Sequence, residues 1–143
     1  MLKREAPPGE GGRPIEEWQA QSPFFDHLGL TIDRNADDTS SVQVPWQQPL
    51  TNRKGDIHGG VVAAVLDTTL SHAVRFCAGE IGGISTVSLA VSYLAPARGS
   101  LVGTGRALRV GSTIGFAEGE LVDESGQIVA TAQGSFRIIR NRS

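Results

Sequence analysis

The chain has 143 residues, 39% of them hydrophobic, and a formal charge of −2, which suits one compact domain. Its 13 lysines and arginines are dispersed, which argues against a polyanion-binding patch and a polybasic membrane stripe, so we expect neither nucleic acid nor a membrane as partner. The single cysteine, Cys77, excludes an internal disulfide framework. We therefore expect a reducing, cytoplasmic setting, with Cys77 in the core.

The first residues of the chain, 1–14, combine Pro, Gly and charged residues with almost nothing to bury, which predicts a flexible leader. No apolar run typical of a signal peptide follows the basic residues. We expect a single domain over 15–143, which opens with a short helical turn, Ile15–Trp18. A turn over 22–29 is then expected to place Phe24 and Phe25 on the core.

The remaining elements follow from hydrophobic periodicity. Two strand-like runs, 30–33 and 41–46, flank hairpin residues, and a Val/Ala/Leu-rich segment over 59–77 predicts one long buried helix. Four extended runs come after it: 86–94, 101–110, 113–122 and 127–139. The order β-β-α-β-β-β-β predicts an α+β fold in which the helix lies on the apolar face of a sheet.

Strict alternation along the run 86–94 predicts which way its side chains point. One face is expected to carry Val87, Leu89, Val91 and Tyr93, and the other Thr86, Ser88, Ala90 and Ser92.

An aspartate, Asp67, interrupts the predicted helix. At about 100° per residue it shares a stripe with small and apolar residues, whereas the polar stripe lies elsewhere. The two stripes are Ala63, Leu70, Ser71 and Val74, and Thr68, His72 and Arg75. An inward carboxylate is costly unless it is bonded or functional, and its small neighbours leave room for a ligand. Asp67 is therefore the first predicted site residue, with Ser71 as a predicted substrate contact.

Two glycines, Gly59 and Gly60, open the same helix. Their backbone N–H groups, at the positive end of the helix dipole, suit a developing oxyanion. Eight residues separate Gly59 from Asp67, which is about 12 Å along a helix, too far for both to act on one carbonyl. If both groups act on one substrate, the second helix must come from another subunit, so this arrangement predicts a dimer with composite sites.

A wider motif contains these residues. Asn52-x-x-Gly55-x-x-His58-Gly59-Gly60, then Asp67 in Val-Leu-Asp, then Tyr93-Leu-Ala-Pro-Ala97, resembles the hotdog-fold acyl-CoA thioesterases of the PaaI-like, phenylacetate-degradation type. The match runs from about Leu28 to Ile139. The resemblance implies a curved antiparallel sheet wrapped round the helix and dimers joined edge to edge, commonly paired into tetramers. It also implies a site that straddles the dimer interface.

The resemblance further implies roles for the motif residues. Asp67 would act as nucleophile or as general base for water, and the N–H of Gly59, helped by Gly60, would hold the thioester carbonyl oxygen. Asn52 would orient the carbonyl or the attacking water. His58 would brace the loop and hydrogen-bond the thioester region, or serve only as a loop residue.

Counting back from the Tyr93 motif places Thr86 at the start of the next strand, with Ser85 beside it as a predicted substrate contact. Thr86 would position the attacking water or simply face solvent. The basic residues that would grip the CoA phosphates stay undetermined among Arg53, Lys54, Arg98, Arg106, Arg109 and Arg137.

The predicted function is hydrolysis of a small aryl or medium-chain acyl-CoA. No metal and no cofactor are expected, with coenzyme A entering only as part of the substrate. Two alternatives stay open, a hotdog-fold enoyl-CoA hydratase and a non-catalytic acyl-CoA-binding module. Asp67 and His72 superficially resemble a hydratase pair, but residues five apart on a helix diverge by about 140°.

Overall fold

The computed structural model describes residues 22–141. The predicted leader over 1–14, the predicted domain start at Ile15 and the predicted turn Ile15–Trp18 lie outside these residues. Elements follow along the chain in this order: α1 (Pro23–Leu28), β1 (Thr31–Arg34), β2 (Ser40–Val44), a 3₁₀ turn (Gln48–Leu50), α2 (Gly59–Ala78), β3 (Gly83–Tyr93), β4 (Leu101–Val110), β5 (Ile114–Val122) and β6 (Ile128–Ile139).

The strands of the described residues form one six-stranded antiparallel sheet with the order β1-β2-β4-β5-β6-β3. Helix α2 lies against one face of this sheet and contacts β4 and β5 most extensively. From the first strand onward the predicted element order is confirmed, and so is the α+β hotdog fold. Strand β3 stands at one end of the sheet, bonded to β6 along one edge, and within residues 22–141 its other edge bonds to no strand.

Helix α2 forms from a proline-free run of aliphatic and small residues. It begins after His58, whose ring occupies the N-cap position, and ends before Gly79, whose φ of +77° favours glycine. Its length and mean hydropathy would let it cross a bilayer, but 56% of its most apolar window is buried inside the fold. This is the environment of a core helix, in agreement with the predicted central position.

Glycines on the strands let α2 approach the sheet closely. A Cβ atom at Gly103 would lie 2.6 Å from Oγ1 of Thr69, and one at Gly115 would lie 2.5 Å from Cγ1 of Val74. Both distances are shorter than packed atoms allow. The same close approach occurs at Gly105 and Gly119. On the sheet side, only glycine backbone lies beneath these helix side chains.

Helix α1 lies within the segment 22–29, where the sequence predicted a turn. Ser22 accepts the Phe25 N–H as N-cap, and Gly29 ends the helix with φ +71°. Phe25 packs against the core, but Phe24 is 53% exposed, so only one of the two predicted aromatics reaches the core. Consecutive helical residues are about 100° apart, which prevents both rings from facing the same layer.

The predicted polar stripe of α2 is wrong at two of its three residues, because Thr68 and His72 are buried. The Thr68 hydroxyl donates to the Ala64 carbonyl at 2.9 Å, and Nδ1 of His72 bonds the Thr68 carbonyl at 2.8 Å. The His72 ring packs near Phe25 and Phe76. Hydrogen bonds within the helix satisfy the Thr68 hydroxyl and Nδ1 of His72, which reduces the cost of their burial.

The C-terminus of α2 is held by two arginines from other elements. Arg34 donates to the Phe76 carbonyl at 3.1 Å, and Arg140 donates to the Ala78 carbonyl at 3.2 Å. These bonds satisfy carbonyls that a helix leaves without an internal partner. Cys77, in the same turn, is exposed. The predicted core position of this thiol is therefore wrong, because the sheet does not cover this side of the last turn.

Candidate active site

Asp67 lies in the middle of α2 and is half-buried. Its Oδ1 accepts a 2.7 Å hydrogen bond from the hydroxyl of Thr86 on β3. A bond of this kind to a charged acceptor is among the stronger protein hydrogen bonds and restricts the rotation of the carboxylate. The structure therefore brings together two of the predicted site residues, with Thr86 oriented toward Asp67.

A β-bulge at Val87 is the reason that Thr86 faces the helix. The pairing with β6 matches Thr86 to Phe136 and Ser88 to Ser135, so Val87 is an extra residue between two regular pairs. Because Phe136 is fully buried on the helix side, its partner Thr86 points to the same side. The alternation predicted for this strand is wrong here, since the bulge reverses the face of every residue before it.

Two predicted substrate contacts are not brought to Asp67 within the chain. Ser85 pairs with Arg137, so it lies on the face of the sheet opposite α2 and is exposed. The Ser71 hydroxyl donates to the Thr68 carbonyl at 3.1 Å inside the helix. Within the described residues neither side chain hydrogen-bonds the Asp67 carboxylate, and their roles in substrate binding stay predictions.

The helix start forms a second group of predicted residues. Nδ1 of His58 accepts the Gly60 N–H at 2.8 Å, so the neutral ring carries its proton on Nε2, which is left as a donor. This bond already uses the Gly60 amide, which argues against the predicted help from Gly60 in holding a carbonyl oxygen. Within residues 22–141 the Gly59 amide donates to no other group, so it is the amide of this pair that can serve a ligand.

The loop before the helix is shaped by Asn52. Its Oδ1 accepts the Lys54 N–H at 2.9 Å and the Asp56 N–H at 3.2 Å, the pattern of a side chain that closes its own turn. Arg98 adds a 3.2 Å bond to the Asp56 carboxylate. The amide nitrogen of Asn52, rather than its oxygen, is thus the atom left for a substrate or a water.

Tyr93 belongs to the helix-start group and was not among the predicted site residues. Its hydroxyl donates to the Gly59 carbonyl at 2.7 Å, and the ring lies against Gly59, 3.4 Å from where a Cβ would be. The sequence placed Tyr93 in the motif but gave no signal for this bond, which joins residues 34 positions apart.

The structure thus places the site residues in two groups on one chain. Asp67 and Thr86 form the first, and His58, Gly59 and Tyr93 the second, separated by about 12 Å along α2. The hydratase-like pair is not assembled, since His72 is buried under α1 and bonds the Thr68 carbonyl. The carboxylate and the open amide would meet on one substrate only if they came from two chains.

Comparison with known proteins identifies the family of this chain. The family model described as the thioesterase superfamily matches residues 54–130, more than half of the chain and a range that contains both groups. A protein of Halobacterium salinarum whose name marks it as a candidate esterase is 37% identical over 138 residues, 89% of this chain and 91% of its own.

Two further proteins are similar at lower identity. The acyl-coenzyme A thioesterase 13 of Mus musculus is 26% identical over 123 residues, 82% of this chain and 87% of its own. The solved structure of the E. coli PaaI protein from the phenylacetic acid degradation operon has a TM-score of 0.76, with 18% identity, over 86% of this chain and 88% of its own. This second likeness concerns the fold.

Proposed function

The chain belongs to the thioesterase superfamily, and from this premise we propose that it hydrolyses a small aryl or medium-chain acyl-CoA to the free acid and coenzyme A. The observation that carries the proposal is the Asp67 carboxylate, held at one oxygen by Thr86 while the helix start keeps the Gly59 amide open. The cytoplasmic setting, and a requirement for no cofactor beyond the CoA of the substrate, belong to the same proposal.

In the proposed reaction, the Gly59 N–H and the positive end of α2 polarise the thioester carbonyl. The free oxygen of Asp67 then attacks the carbonyl carbon, or removes a proton from a water that attacks it. The tetrahedral oxyanion collapses and expels the CoA thiolate, a good leaving group that needs no strong acid. Direct attack would leave a mixed anhydride on Asp67, which water then hydrolyses to the acid.

The proposal includes a homodimer, alone or paired into a tetramer, with two equivalent sites. Each site would take Gly59 from one subunit and Asp67 from its partner, because one helix separates them by about 12 Å. One edge of β3 pairs with no strand of the described part of the chain, which supports this arrangement. That strand carries Thr86 near one end and Tyr93 at the other, so a second copy beside it would bring the two groups together.

The first test is CoA thiol release from a panel of aryl and straight-chain acyl-CoAs. Asp67→Asn should abolish turnover with an almost unchanged melting temperature, whereas Asp33→Asn, an exposed aspartate on β1, should keep full turnover. The exposed thiol of Cys77 requires a no-substrate blank. If the folded wild type releases no thiol from any substrate, the binding-module alternative replaces this proposal.

Proline at position 59 tests the oxyanion donor directly. His58 has φ −59° and ψ 140°, which suits a residue before proline, and proline is favoured at the first position of a helix. Gly59→Pro should therefore keep the fold and remove the N–H, with turnover lower by about 100-fold. Wild-type turnover in a folded Gly59→Pro variant would exclude this amide as the donor.

Mixing the two inactive variants tests the composite site. In a heterodimer of Asp67→Asn and Gly59→Pro, one site keeps both groups and the other loses both. Random mixing of subunits should then restore about a quarter of the wild-type activity. If each chain carried its own complete site, the mixture would stay inactive.

A further inference from the structure

One peptide unit at the start of α2 is held from both ends. The Tyr93 hydroxyl donates to the Gly59 carbonyl oxygen at 2.7 Å, and the Gly60 N–H donates to Nδ1 of His58 at 2.8 Å. This carbonyl and this N–H belong to the same planar peptide group. Two side chains from different parts of the chain therefore fix the orientation of one rigid plane.

Such a fixed plane matters because two glycines in succession have unusual backbone freedom. The first turn of a helix is also the part that frays, since its amides have no partner within the helix. The Gly59 N–H lies in the preceding peptide plane, which joins the held plane at the Gly59 Cα, so holding the second plane restricts the φ and ψ through which the first could turn away. A carbonyl oxygen that develops charge gains most from a donor already aimed at it.

We propose that Tyr93 is a positioning residue for the oxyanion donor, an inference that rests on the proposed function. Its hydroxyl acts on the Gly59 carbonyl and not on the reacting atoms, and it keeps the neighbouring Gly59 amide aimed at the substrate. Tyr93 pairs with the buried Ala130, so it faces the helix as Thr86 does. Strand β3 thus orients the carboxylate with one end and the amide with the other.

Tyr93→Phe removes the hydroxyl and keeps the ring that lies on Gly59. We expect kcat to fall about tenfold, which corresponds to one hydrogen bond, with KM within about twofold and the melting temperature almost unchanged. Thr104→Val, which removes an exposed hydroxyl on the other face of the sheet, is the matched control and should leave kcat unchanged. A wild-type kcat in Tyr93→Phe overturns the inference.

Amide hydrogen exchange at Gly60, followed by NMR, tests the held peptide without any substrate. Its exchange should rise several-fold in Tyr93→Phe and stay at the wild-type rate in Thr104→Val. A lower kcat with unchanged Gly60 exchange would mean that the hydroxyl acts on the substrate itself, which also overturns the inference. A wild type without turnover overturns the proposed function and the catalytic part of this inference together, whereas an active wild type with an unimpaired Tyr93→Phe overturns the inference alone.

Discussion

The Thr86 hydroxyl donates a 2.7 Å hydrogen bond to Oδ1 of Asp67, across the boundary between the central helix and the edge strand of the sheet. This bond leaves Oδ2 as the carboxylate oxygen that can attack or accept a proton. The bond favours a role for Thr86 other than the two predicted alternatives, positioning water or simply facing solvent. In this geometry the hydroxyl orients the carboxylate, which under the proposed function would act on the substrate or the water.

Thr86→Val should lower kcat about tenfold or more, because a hydrogen bond to a charged group contributes about 1.5–3 kcal/mol. Thr86→Ser keeps a hydroxyl and should retain most of the activity. The measurement is kcat and KM on the preferred acyl-CoA, with Thr104→Val as the control for loss of a strand threonine hydroxyl. Equal kcat values for Thr86→Val and the wild type would show that Asp67 needs no such partner.

His72 should make the fold sensitive to acid. Burial, with a smaller contribution from Arg75, lowers the pKa of His72 from 6.5 to about 4, while its bond to the Thr68 carbonyl opposes the shift. Because the unfolded chain binds this proton more readily, the stabilising contribution is full above pH 6.5 and is lost as the pH falls toward 4. The loss amounts to on the order of 2–3 kcal/mol.

His72→Gln provides the comparison for this pH dependence. The free energy of unfolding, measured in urea at several pH values between 7 and 4.5, should fall more steeply in the wild type than in the variant. Carboxylates titrate in both proteins, so their contribution cancels in the difference between the two free energies of unfolding. Parallel curves would show that His72 is already protonated in the fold or is not buried.

Arg140 should contribute to stability through geometry rather than charge. Its guanidinium donates to three carbonyls, those of Ala78, Gly111 and Ser112, and a lysine ammonium cannot span all three. Arg140→Lys is therefore expected to lower the free energy of unfolding by about 1–2 kcal/mol. Arg109→Lys is the control, since the exposed Arg109 side chain makes no hydrogen bond or ion pair within residues 22–141.

Gly115→Ala should destabilise the fold by about 1–3 kcal/mol, the usual effect of overpacking. The added Cβ would lie 2.5 Å from Cγ1 of Val74, whereas at Gly83 it would meet nothing closer than 3.8 Å. Gly83→Ala is therefore the matched control. Adding Val74→Ala to Gly115→Ala should recover part of the loss, a coupling that a double-mutant cycle in urea measures. If the free-energy changes of Gly115→Ala and Val74→Ala simply add, the predicted clash between the new Cβ and Val74 does not occur.

Much of the fold could be predicted from local patterns. Aliphatic periodicity and flanking glycines predict the helix Gly59–Ala78. Alternation and turn residues predict the strands. The spacing between Gly59 and Asp67 was enough to predict two separate groups, because helix geometry converts a residue count into a distance. These inferences rest only on residues that are close together in the sequence.

The errors concern contacts between distant segments. The bulge at Val87 exists only relative to β6, so alternation within β3 could not reveal it. The bond from Tyr93 to Gly59 has the same origin. Burial of His72 was missed for another reason, since a polar side chain that bonds its own helix can be buried at little cost, and composition does not show that bond.

Because glycine backbone lies directly beneath the central helix, the candidate site tolerates little change in the spacing between helix and sheet. At Gly103 and Gly115 the side chains of Thr69 and Val74 pack directly on strand backbone, so the spacing between the two layers has little room to vary. Asp67 moves with the helix and Thr86 with the sheet, which means that a remote substitution that lifts the helix would lengthen the bond between them. Laboratory evolution toward a new acyl group should therefore keep these glycines, and screens for lost activity should find them.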